Sequence, residues 1–78
     1  MGATENDPFS QSALAEAFEN GWGVKKSFEE AFKYYLLAAA QGFSIAQYYI
    51  GNCYKWGKGV EQSKEESLKY YNLSTEQG

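Results

Sequence analysis

The residues that could do chemistry in this chain are few, and most come in matched sets. Glu29-Glu30 and Glu65-Glu66 are adjacent carboxylates, the kind of pair an acid–base site would use. Each follows closely on a serine, Ser27 or Ser63, in an S-x-x-E pattern that opens a helix. Negative charge there complements the helix dipole, so capping accounts for both pairs better than proton transfer does. Gly21-x-Gly23 and Gly57-Lys58-Gly59 hint at a phosphate loop, but they lack the G-x4-G-K-[ST] spacing and a preceding strand. Turns are the better account of them. Asn72-Leu73-Ser74 is a formal glycosylation sequon inside an expected helix, and we treat it as accidental.

Cys53 has no second cysteine to pair with, and a buried, inert thiol is expected, with a reactive or intermolecular cysteine as the alternative. The chain contains no histidine. That removes His-based proton transfer, Ser-His and Cys-His nucleophilic pairs, and His-containing metal sites. No catalytic, cofactor-binding or metal-binding residue is therefore expected, and no enzyme activity.

Stepping the chain against itself by 36 positions explains why the sets match. Gly21, Gly23 and Val24 meet Gly57, Gly59 and Val60. Ser27, Glu29 and Glu30 meet Ser63, Glu65 and Glu66. Lys33, Tyr34, Tyr35 and Leu37 meet Lys69, Tyr70, Tyr71 and Leu73, without a gap. A period in the thirties is a signature of stacked helix pairs.

These residues resemble the Sel1-like repeat, a relative of the tetratricopeptide repeat. Its pattern A-x3-[LI]-G-x2-Y-x2-G-x-G-V is carried by Ala46, Ile50, Gly51, Tyr54, Gly57, Gly59 and Val60. The continuation A-x2-[YW]-x3-A-A-x2-G is carried by Ala31, Tyr34, Ala38, Ala39 and Gly42. The resemblance covers about Ser10 to Gly78. Departures are small-for-small: Ser10, Ser67, Ser74 and Thr75 stand where the family has Ala, and Ala15 where it has Gly. The resemblance implies an all-α fold, a right-handed α/α solenoid of two helix-turn-helix repeats at 8–42 and 43–78, with 1–7 as a disordered N-terminal tail.

The helices can be placed in order. Asp7-Pro8 suits an N-cap and first helical position. Helix A1 then runs to about Asn20 with Ser10, Ala13, Leu14, Ala17 and Phe18 as its buried stripe. Helix B1, Phe28 to Gln41, has Lys33 as its single charge from Ala31 onward, so cover from A1, A2 and B2 is expected over Phe32, Tyr35 and Leu37. Gly42 reads as a left-handed C-cap, with Phe43 folding back over the last turn. Ser44 and Gln47 form a third capping pattern before helix A2, Ile45 to Trp56. Its stripe is Ala46, Tyr49, Ile50, Cys53 and Tyr54, with Gly51 admitting a close neighbour. Helix B2, Lys64 to Gln77, replaces Leu36, Ala38, Ala39 and Ala40 with Asn72, Ser74, Thr75 and Glu76, the polar outer face a terminal repeat needs.

The composition, 44% hydrophobic and 18% aromatic, marks a chain that packs. Seven lysines against ten acidic residues give −3, with no basic stripe for nucleic acid. No stretch reads as a signal peptide or approaches a membrane span, so a cytoplasmic protein is expected. Two repeats fall short of the roughly three that make a solenoid stable, which predicts low stability or self-association.

Function is then recognition. The tyrosines read as core with their hydroxyls at polar edges. By the resemblance, the A helices line a concave face that binds a protein or peptide, through Ser12, Glu16 and Glu19 on A1 and Tyr48, Asn52, Lys55 and Trp56 on A2. Trp56 leads as an anchor, with loop packing as its alternative role. The expected function is a non-catalytic adaptor in protein–protein contact, signalling included. The alternative is a fragment or degenerate paralogue of a larger repeat protein, such as repeats appended to a kinase.

Overall fold

The computed structural model describes residues 7–77, with no side-chain description for Gln77; the expected tail, Asp7 excepted, lies outside them. The described residues form four helices and no strand: α1 Pro8–Asn20, α2 Phe28–Ala40, α3 Ser44–Trp56 and α4 Lys64–Gln77. Packing follows chain order, α1 on α2, α2 on α3 and α3 on α4. Each neighbour pair is joined by a short link, so contacts stay local and the body is elongated, 36 × 25 × 13 Å.

The helix ends follow from the residues at them. Asp7 caps α1 through the amide of Phe9, with Pro8 in the first turn. Gly42, at φ 84°, closes α2: its amide donates to Ala39 O and that of Phe43 to Ala38 O, which satisfies two orphan carbonyls. Phe43 then packs edge-on against Phe9 at 4.8 Å, joining α1 to the α2–α3 corner.

The capping boxes are only half formed. Ser27 Oγ accepts from the Glu30 amide at 3.2 Å and Ser63 Oγ from the Glu66 amide at 3.3 Å. The amides of Ser27 and Ser63, which a full box would give to the glutamates, instead donate to Phe18 O and Tyr54 O at 2.9 Å. Those carbonyls lie in the last turns of α1 and α3, where the helix offers them no partner, so each cap also stitches one helix to the next. The third expected box is absent. Phe43 is the N-cap, without a side-chain bond, and Ser44 is already helical. Gln47 is buried and donates Nε2 to Ala39 O, a carbonyl at the end of α2 that also accepts from the Gly42 amide.

Small residues make the core. Ala15, Ala31, Ala38, Ala39 and Ala46 let the helices approach, while Tyr35 and Ile50 fill the remaining space. A ring of half-buried aromatics surrounds them, with Phe18 stacked on Tyr34 and, one repeat on, Tyr54 stacked on Tyr70. The α3 stripe is as expected. Gly51 is buried because the ring of Tyr71 lies where a Cβ would be.

Two expected burials fail. Ala13 and Leu14 of α1 are exposed, Leu14 to 37%, and the buried side is Gln11 and Ala15 instead. Burial on α1 follows its one packed neighbour, α2, whereas α3 lies between α2 and α4. On α2, Phe32 and Tyr35 are covered but Leu36 and Leu37 are 38% and 45% exposed. Helix α4 packs on α3 and does not complete the cover that the composition of α2 had suggested. No helix among the described residues is long and apolar enough to cross a membrane.

Candidate functional site

Three hollows of the surface lie around the C-terminal half of α3. One, about 350 Å³, lies between α3 and the end of α1 and is bordered by Glu19, Tyr48, Asn52, Lys55, Trp56 and Lys58, among others. A second, about 340 Å³, shares Tyr48, Asn52 and Lys55 and continues onto α4 at Tyr71, Ser74 and Thr75. A third, about 570 Å³, opens on the other side of Trp56, between it and Lys64, Leu68 and Tyr71.

Helical spacing explains the shared border. Tyr48, Asn52 and Lys55 stand at i, i+4 and i+7 on α3, one stripe beside the buried Ile50 and Cys53. Trp56 ends the helix and is 62% exposed, with Lys55 Nζ 5.1 Å from its ring centroid. An ammonium over an indole holds both side chains at the surface. Gly57 then turns the chain at φ 70°.

Glu19 is bonded within the chain. It accepts from Tyr35 Oη at 3.0 Å and from Lys58 Nζ at 3.5 Å, so it joins α1, α2 and the turn of the second repeat. It borders the first hollow but is already engaged. Burial, then the Glu19 carboxylate, hold the Tyr35 hydroxyl far above the usual phenol range. Burial and then Glu16 and Glu19 raise Tyr49 as well. Asn52 Oδ1 is also occupied, accepting from Tyr71 Oη. Ser12 and Glu16 border none of the three hollows. Ser12 is half-buried, with its hydroxyl oxygen enclosed and unpaired among the described residues.

The structure thus brings together Glu19, Tyr48, Asn52, Lys55 and Trp56 and leaves Ser12 and Glu16 aside. Sequence reasoning missed Tyr49, Lys58, Leu68 and Tyr71. Leu68 was detectable: it stands 36 residues after Phe32, a core aromatic. Lys58, between two turn glycines, gave no such signal.

The chemistry these groups can do is contact chemistry: an indole, phenol rings, an amide and lysine ammoniums around shallow hollows. Cys53 lies at the floor of the first hollow, its thiol pushed up to about 11, chiefly by burial and then by Glu19, against the lowering effect of Lys58. It stays protonated at neutral pH. No group of three or more potential metal ligands occurs among the described residues.

The family profile of the Sel1 repeat matches residues 8–43 and 44–78. A Sel1 repeat protein from Oxalobacter formigenes is similar in structure at a TM-score of 0.92 and 36% identity, over 94% of this chain and 30% of that one. The antigen c5321, from uropathogenic Escherichia coli strains and described as displaying an SLR fold, is similar at 0.89 and 35% identity, over 91% and 15%. The chain therefore spans less than a third of either structure. No curated protein is a significant match.

Proposed function

The chain belongs to the Sel1 repeat family, and from that premise we propose that it is a non-catalytic adaptor that holds an extended segment of a partner protein against the C-terminal half of α3. Sel1 repeats generally mediate contacts between proteins. The observation that carries the reading is the exposed Trp56–Lys55 pair: Lys55 borders all three hollows and Trp56 two of them. Aromatic residues with a large accessible face supply most of the energy at such contacts. Tyr48, half exposed, offers a second flat surface about two turns earlier. Lys55 beside them favours a segment that carries a carboxylate among apolar residues.

The test is to select binding peptides from a random library and locate the contact by amide chemical shifts. Changes confined to Tyr48, Asn52, Lys55 and Trp56 are expected. Trp56→Ala should weaken binding about tenfold or more while leaving the thermal transition in place, since the ring is exposed. Undiminished binding, or shifts on α2, would retire the site.

A further inference from the structure

We propose that the chain associates head to tail, the outer face of α1 in one copy seated in the α3–α4 groove of the next. The template is the chain's own junction between repeats. There Tyr49 stacks on Tyr35 at 4.8 Å and Tyr54 meets Phe32 edge-on at 5.6 Å. Lys58 pairs with Glu19 and lies 5.6 Å from the Phe28 ring centroid. Gly59, at φ 78°, presses bare backbone onto Phe28, where any Cβ would collide with the carbonyl.

A shift of 36 carries the receiving side of that junction, Glu19, Phe28, Phe32 and Tyr35, onto Lys55, Lys64, Leu68 and Tyr71. These line the 570 Å³ groove beside Trp56. Leu68 is 53% exposed there, whereas its counterpart Phe32 is packed against the core. The opposite shift carries the inserting side, Tyr49, Ile50, Lys58 and Gly59, onto Ala13, Leu14, Trp22 and Gly23. All four are exposed, Trp22 to 60%. Gly23 reproduces the conformation of Gly59, φ 75° against 78°, yet a Cβ built on it would meet nothing within 4 Å. The turn has the shape of an inserting element, and among the described residues nothing stands where it would press.

The two ends also suit each other in charge. Helix α1 carries no cation and offers Glu16, Glu19 being taken up within the chain by Tyr35 and Lys58, while the groove contributes Lys55 and Lys64 and no carboxylate. The internal Lys58–Glu19 ion pair is replaced by Trp22 over Lys55, an indole facing an ammonium. The contact uses different patches on the two copies, so each copy leaves a free end and the assembly continues as an open chain. Ser74 and Thr75 in place of Ala38 and Ala39 reduce the apolar content of each new junction, so association is weak and driven by concentration. This inference does not rest on the peptide-binding role of α3.

Sedimentation of the whole chain from about 10 μM to 1 mM, the range of weak interfaces, tests it. The weight-average mass should climb without levelling at a dimer. Leu14→Lys damages one face and Leu68→Lys the other, so each variant alone should remain a monomer. Mixed in equal amounts, they should form a one-to-one dimer through the two undamaged faces. Circular dichroism checks their helix content, and Ala13→Lys replaces Leu14→Lys should the latter lose helix. A wild-type monomer throughout, as expected were the groove reserved for a further repeat of one polypeptide, overturns the proposal. So does a plateau at a two-fold dimer, a single variant that associates like wild type, or a mixture that stays monomeric.

Discussion

Tyr35 and Tyr71 occupy the same place in the two repeats and have different fates. Tyr35 is 1% exposed, bonded to Glu19 and stacked on Tyr49. Tyr71 is partly exposed, lies across Gly51 and bonds Asn52. Two neighbours decide it. In repeat 1 the place of Gly51 is taken by Ala15, whose Cβ denies the ring that space, and α3 supplies Tyr49 to stack on. In repeat 2 the glycine leaves room, no following helix among the described residues offers a ring, and Tyr71 lies back on its own repeat. The same contrast runs through Ile50 and Leu14, and through Gly59 and Gly23: equal positions, one covered and one open. In a stacked fold a side chain's energy is set by the adjoining unit as much as by its own.

Substitution at equivalent positions should make that contrast measurable. The largest difference is expected between Ile50→Ala and Leu14→Ala. Ile50 is fully buried, so its truncation should cost about 3–4 kcal/mol, while exposed Leu14 should cost about 1 kcal/mol or less. Urea unfolding in dilute solution measures both, and equal losses would mean that the α1 face is covered after all. The turn glycines come next. Gly59→Ala combines the left-handed backbone cost with a collision against Phe28, for about 3 kcal/mol in total. Gly23→Ala meets only the backbone cost, about 1–2 kcal/mol. A ratio near one would break the comparison.

The smallest effect is alkaline. Cys53 is raised from 9.0 to about 11, and Tyr35 is raised further, so the unfolded chain gives up these protons first. The folded state then holds more protons, and stability present below pH 9 declines as pH rises through about 11. Cys53→Ala, which copies Ala17 of repeat 1, should remove part of that decline when melting temperatures at pH 8 and pH 10.5 are compared. An unchanged slope would show that the thiol is not the group responsible.

Much of the fold was legible in the residues because it is written twice. The 36-residue offset, the serines that cap α2 and α4, and the glycines that end α1 and α3 are local devices. Local devices act through a few neighbouring amides and carbonyls, whatever the rest of the chain does. The errors share one cause. Ala13 and Leu14 form a regular apolar stripe, and Leu36 and Leu37 continue the apolar run of α2, yet all four face outward because no helix among the described residues packs there. Ser44-x-x-Gln47 has the letters of a cap, but Gln47 turned inward to Ala39 O at the end of the preceding helix. Of the candidate site, Tyr48, Asn52, Lys55 and Trp56 could be placed together from helical spacing alone. That Glu19 would be taken up by Tyr35 and Lys58 could not.

The sequence by itself determined where helices start and stop, that there are two of them per repeat, and which small residues let them approach. Only the tertiary structure decided which apolar faces are covered and which carboxylate is already engaged. Helix ends depend on hydrogen bonds that span a few residues, whereas burial depends on having a partner at a distance, and a periodic pattern reads the same with a neighbour or without one.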